Sequence, residues 1–181
     1  MKNNLETMFS FITNPTVRKK LLASGKRITK AYDELFSGYE LSAEDVLNDV
    51  VHVQNYTGMV KVHEISFYSF CEHHFAPFFG TADVYYRPNK VVTGLGKIVR
   101  LVHDVHGRRL QIQELMTRDI AEDIRRVLKA KGVFVVTRAR HMCMCSRGPK
   151  NDNVLTTVTY GCGNMENFCP ISKDKNVDRE I

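Results

Sequence analysis

The chain has 181 residues, 43% of them hydrophobic and 25% charged, which suits one globular domain with a real core. No apolar run approaches the roughly 20 residues that cross a bilayer, so a membrane helix is not expected. The net charge of +6 suits an anionic partner, yet the basic residues form no long run and there is no tryptophan, which argues against a nucleic-acid surface.

The opening "MKNNLETMFSFITNPTVRKK" lacks the apolar block and cleavage site of a secretory signal. Five cysteines, an odd number, then read as reduced thiols or metal ligands rather than a disulfide framework. A cytoplasmic location is expected.

In "SGKRITKAYDELFSGYE", Ile28, Tyr32, Leu35 and Phe36 share one helical face, with Ser24 and Gly25 at its start and Gly38 at its end. Ser42 with Asp45 three residues on forms a capping-box pattern ahead of another apolar run. From Met59 the period changes, and "MVKVHEISFYSFC" and "FFGTADVYYRP" read as strands. "GLGKIVRLVHDVHG" reads as helix through Leu95, Ile98, Val99, Val102 and Val105. "ELMTRDIAEDIRRVLKAKG" is a longer helix that Gly132 is expected to stop. "VFVVTRARHMCM" and "NVLTTVTYG" return to strand.

The order gives an α+β fold: two hairpins flank a helical pair, and an antiparallel four-stranded sheet carries helices on one face. Its open edges invite pairing between subunits. The expected divisions are a helical segment over 1–58, a catalytic domain over 59–163, and a mobile tail over 164–181 that is polar and lacks a period.

The chemistry gathers in "SFYSFCEHHFAPFFG", between the first two strands. Cys71 and His74 stand three apart, close enough for a turn to bring both onto one metal ion. In "RARHMCMCSRG", His141 and Cys143 share a strand face by alternation, which makes Cys143 a third ligand with His141 beside it. Cys145 falls where the strand gives way to a turn and is not counted. Three ligands, Cys71, His74 and Cys143, leave the fourth position of a zinc ion to water, as in catalytic sites. His73 and His141 would then stand beside that water for proton transfer. The competing reading is a structural zinc closed by Cys145 or Cys162. His52, His63, His103 and His106 read as surface or internally satisfied residues. Lys97, Arg100 and Arg147 are candidate anion contacts. Glu114 is either a first-turn carboxylate or an acceptor for the N1–H and 2-amino group of a guanine.

Taken together, "FYSFCEHHFAPFFG", "GLGKIVRLV", "RRLQIQELMT", "GVFVVTRARHMCM" and "SRG", in that order, resemble the GTP cyclohydrolase I family. The resemblance runs from about Thr13 to about Thr159. It implies the tunnelling fold and a toroidal homodecamer of two pentamers with active sites between subunits. It implies zinc on Cys71, His74 and Cys143, with His73 and His141 moving protons. Gln113 and Glu114 match its guanine anchors, and Lys97, Arg100, Arg147, Arg27 and Lys30 its triphosphate contacts. The implied reaction converts GTP and water to 7,8-dihydroneopterin triphosphate and formate, the first step of pterin and folate-type biosynthesis. Three departures stand out: Gly96 where the family has serine, a short loop over 148–157, and no helical ending. The alternatives are a divergent relative acting on another guanine nucleotide, or a zinc-stabilised nucleic-acid-binding module.

Overall fold

In the computed structural model, which describes Thr7 and residues 9–170, a mixed sheet forms one layer and two helical elements cover one of its faces. Helices α1 (Pro15–Ala23) and α2 (Gly25–Leu35), a 3₁₀ turn (Ser37–Glu40) and a single helical turn, α3 (Ala43–Val46), come first. Then follow β1 (Val50–His52), β2 (Val60–Cys71), β3 (Ala76–Arg87), β4 (Val91–Thr93), α4 (Leu95–Arg100), a π-helical segment (Leu101–His106) and β5 (Leu110–Gln111). Helix α5 (Gln113–Leu128), strand β6 (Gly132–His141), the turn α6 (Met142–Cys145) and β7 (Thr156–Gly163) complete the order.

Local signals account for several boundaries. Asn14 caps α1 by accepting from the backbone N–H groups of Thr16 and Val17, and Ser42 with Asp45 forms the expected capping box on α3. Helix α5 ends earlier than Gly132. Lys129 closes it in the left-handed conformation, at φ 50°. Gly132 is instead the first residue of β6, where an added Cβ would lie 2.3 Å from Asn164 Oδ1; no side chain fits there.

The main sheet has five strands in the order β5-β2-β3-β6-β7, one more than the sequence pattern implied. The extra strand, β5, is two residues long and lies parallel to β2, pairing Phe70 with Leu110 and Cys71 with Gln111. Two residues carry no readable period, so only the fold reveals it. The remaining pairs are antiparallel, and β1 and β4 form a separate two-stranded sheet.

The core lies between the sheet and the helices. Phe67, Phe78, Val84, Tyr86, Val133 and Val135 meet Ile98, Leu101, Val105, Met116, Ile120 and Ile124 there. The helix expected over 94–107 changes pitch at Leu101, and Gly107 N–H bonds to Val102 C=O in the five-residue spacing of a π-helix. The wider turn lets Leu101, Val102, Val105 and His106 all face inward. His106 is buried, and its Nε2 meets Asp123 Oδ2 of α5 at 3.0 Å, so it is internally satisfied as expected.

The opposite sheet face carries a smaller cluster of Tyr85, Phe134, Val136 and Met165, against which Phe168 packs. The stretch from Asn164 to Pro170 therefore differs from the mobile tail expected of it: Met165 is 0% exposed, and Asn164 N–H bonds to Lys131 C=O. Residues 171–181 lie outside the described residues. Removing the Met165 side chain should cost about 2–5 kcal/mol, as large-to-small core changes do; denaturant midpoints of Met165→Ala against the parent chain measure it.

A bulge between Val62 and Ile65 puts Glu64 at φ 56°. Asp83 of β3 holds it, accepting from Glu64 N–H at 2.9 Å and from Arg138 Nη1 at 2.7 Å. Burial pushes the Asp83 carboxyl up, but Arg138, the Glu64 N–H and His63 together hold it below the usual carboxylate range. A depressed native value contributes stability above the unfolded pKa of about 3.9, and that contribution is lost as pH falls through the native value. Asp83→Asn should thus cost about 1.5–3 kcal/mol near neutrality and flatten the acid limb of a stability–pH curve, which chemical denaturation at stepped pH reads.

Candidate metal centre

The ends of β2 and β6 meet at one pole of the sheet. Strand β3 links them, pairing Cys71 with Ala76 on one side and Phe78 with His141 on the other. Phe75 N–H closes the intervening Cys71–Phe75 turn onto Cys71 C=O at 2.8 Å, with Phe75 itself left-handed at φ 51°. An aromatic cluster braces the turn: Phe75 stacks on Tyr32 of α2 at 5.7 Å, and Phe36 and Phe70 fill the space beside them.

Cys143 does not reach the pole by strand alternation. Strand β6 ends at His141, and the single turn α6 carries Cys143 back towards it. The result is one group of potential ligands among the described residues: Cys71, His141 and Cys143, whose ligand atoms lie within 4.8 Å of one another. The expected set contained His74 in place of His141. Here His74 is exposed and outside that group, while His73 Nδ1 lies 3.6 Å from Cys71 Sγ. Cys145 is also outside the group, as expected. Cys162 pairs with Val133 at the far end of β6, which removes it as a fourth ligand.

The donor set fits a thiophilic metal ion. Burial pushes the Cys143 thiol up, and the adjacent Cys71 pushes it further, against a smaller opposing effect of Arg147. Two crowded thiols in this state gain most from a cation that stabilises their thiolates.

His141 is held on two sides. Its ring stacks on Phe78 at 4.7 Å and 1°, and its Nε2 lies 2.9 Å from Gln113 Oε1. Burial pushes its pKa down, partly offset by Glu114. Glu114 and Arg147 thus act electrostatically on His141 and Cys143.

Gln113 differs from its expected role. It is 2% exposed, and its amide is spent within the protein. Nε2 donates to Thr137 C=O, Thr137 Oγ1 and Thr156 C=O, while Oε1 accepts from Thr156 Oγ1. The side chain therefore has no free group for a base. The sequence reading missed Phe78, Thr137 and Thr156, because each sits unremarkably in an alternating strand run.

The other candidate cations are not gathered here. Lys97 Nζ meets Asn48 Oδ1 at 3.4 Å, and Arg100 pairs with Asp104 at 3.2 Å. Helix α4 starts directly after β4, which follows the end of β3 remote from Ala76. Arg27 and Lys30 are exposed, on the side of α2 turned away from Tyr32 by the helical period.

An α+β chain with a paired-thiol and imidazole pole, flanked by a carboxylate and a guanidinium, has the layout of a metal-assisted enzyme. The family model for GTP cyclohydrolase I matches residues 1–173. GTP cyclohydrolase 1 of Campylobacter jejuni (strain RM1221) is 46% identical over 155 residues, covering 86% of this chain and 81% of that one. The Brucella anthropi enzyme of the same name is 44% identical over 163 residues, covering 90% and 76%. This chain belongs to the GTP cyclohydrolase I family. The crystal structure of the archaeosine synthase QueF-Like in the apo form covers 60% of this chain and 97% of that chain at TM-score 0.47 and 17% identity. That likeness is too slight to bear on fold or function.

Proposed function

We propose that this chain is a zinc-dependent GTP cyclohydrolase I, converting GTP and water to 7,8-dihydroneopterin triphosphate and formate. The convergence of Cys71, Cys143 and His141 beside Glu114 and Arg147, in a chain of this family, carries the reading. Cys71 and Cys143 would hold the ion as thiolates, and the turn would bring in His74 as the third ligand. When bound, zinc supplies a Lewis acid that brings the pKa of water to about 7.

The remaining roles fall to the chain's own groups. Glu114 accepts from the N1–H and 2-amino group of guanine, which a carboxylate does with two parallel hydrogen bonds. Arg147 neutralises part of the triphosphate. His141, with its charged form disfavoured by burial, accepts a proton more readily than it keeps one, and His73 serves as its counterpart. Lys97 and Arg100 bond to Asn48 and Asp104, and Arg27 and Lys30 face outward from α2, so these four would complete a neighbouring subunit's site. A tunnelling fold assembled as a decamer of two pentamers has that arrangement. Residues 1–58 would then form the arm that presents Arg27 and Lys30, with 59–163 the catalytic unit. Among the described residues no helix is long and apolar enough to cross a membrane. Ligation by thiolates suits a reducing cytoplasm.

The test has two arms. Purified protein incubated with GTP should release formate and, after oxidation, show pterin fluorescence; no pterin from metal-replete protein would overturn the reading. Cys71→Ser and Cys143→Ser should abolish both turnover and stoichiometric zinc. His74→Ala should lose zinc, whereas His141→Ala should keep zinc and lose most turnover. Zinc lost only from His141→Ala would make His141 the third ligand.

Gly96 offers a separate check. A Cβ there meets nothing within 4 Å, so serine fits without displacement. Gly96→Ser should lower KM for GTP with kcat nearly unchanged, by at most one hydrogen bond to an anion, about 1.5–3 kcal/mol. A raised KM in steady-state assays would show that the site needs glycine.

A further inference from the structure

Gln113 begins α5 with a side chain that never reaches solvent, although its residue type and position suggest ligand contact. Its surroundings fix which end of the amide points where. Nε2 faces two backbone carbonyls, Thr137 C=O at 3.1 Å and Thr156 C=O at 3.3 Å. Carbonyls only accept, so this atom must be the NH₂ end. Oε1 is thereby turned towards His141 Nε2 at 2.9 Å. An amide oxygen cannot donate, so Nε2 of His141 must carry the hydrogen.

The same direction runs through the hydroxyls behind it. Thr117 Oγ1 donates to Gln113 C=O at 2.7 Å, which uses its only hydrogen. Its 2.7 Å contact with Thr137 Oγ1 is then donated by Thr137. Thr137 Oγ1 in turn accepts from Gln113 Nε2 at 3.0 Å. The Thr156 hydroxyl shares its one hydrogen between Gln113 Oε1 at 2.6 Å and Ala139 C=O at 2.9 Å, but turning the amide over would set its oxygen against the Thr137 and Thr156 carbonyls in a buried site. Thr117 and Thr137 are both fully buried, so water cannot relieve such a clash. The Phe78 ring, parallel to that of His141, fixes the ring plane.

We propose that Gln113 is a positioning residue that holds His141 as its Nε2–H tautomer, leaving Nδ1 as the nitrogen with the free lone pair. A neutral imidazole has one basic nitrogen, and which one is basic depends on the bond the other makes. Gln113 sets that choice from a buried position and makes no direct contact with substrate. This inference rests on the proton-transfer role proposed for His141.

Two measurements test it. In intact enzyme labelled with ¹⁵N-histidine, the His141 resonances, identified by their loss in His141→Asn, should show a protonated Nε2 and an unprotonated Nδ1. A protonated Nδ1 in the parent protein would overturn the proposal whether or not any variant folds. Gln113→Met, which keeps the length but removes the acceptor, should mix the two tautomers and lower kcat about 10- to 100-fold. KM for GTP should stay within about twofold. A raised KM with unchanged kcat would overturn the proposal by placing the Gln113 side chain on the substrate. Failure of the His141 role would look different: His141→Ala would retain full turnover while the parent spectrum still showed Nε2–H.

Discussion

Where α5 starts, a buried carboxamide meets three acceptors on β6 and β7 and one imidazole at the strand end. An unsatisfied amide in such a place costs about 1–3 kcal/mol, so helix, strands and histidine are fixed relative to one another. If β7 moved, Gln113 would lose Thr156 and with it one of the contacts that aim its amide oxygen at His141. The hydrophobic core positions the layers only in bulk. This polar tie sets the geometry where chemistry needs tolerances of a fraction of an ångström.

The aromatic cluster plays a comparable part on the other side of the pole. Tyr32, Phe36, Phe70 and Phe75 press α2 against the turn that carries Cys71, His73 and His74. The helix that supplies Tyr32 also carries Arg27 and Lys30 on its outer side. One helix thus braces the turn of its own chain and presents cations outward.

Much of this was legible in the sequence, for identifiable reasons. The helical faces, the capping box at Ser42 and the long strands announce themselves through short-range periodicity and cap chemistry. Cys71 and Cys143 are visible as ligands, and His141 as their neighbour, because thiols and imidazoles at metal-ligand spacing are unusual in a chain without an export signal. What stayed hidden depends on contacts distant in sequence. Strand β5 exists only because Gln111 arrives beside Cys71. The π-helical turn follows from four inward-facing residues that an α-helix spreads too widely. The buried state of Gln113 requires Thr137 and Thr156, 24 and 43 residues away. The exchange of His74 for His141 in the ligand group reflects the shape of a five-residue turn, which spacing does not specify.

The place of β7 has a bearing on how the chain acquires its working state. A nascent chain ending before Thr156 has Cys71, His141 and Cys143 already in hand, together with both covering helices. It lacks the hydroxyl and the carbonyl that complete the Gln113 amide, and it lacks the edge strand that covers β6. Such an intermediate has these three side chains in place, and Thr137 can still take both hydrogens of the Gln113 amide, but the amide oxygen lacks its Thr156 donor until the final strand arrives. The thiols and the imidazole are therefore all present in the chain before the Gln113 amide has its full set of partners, which the last part of the sheet supplies.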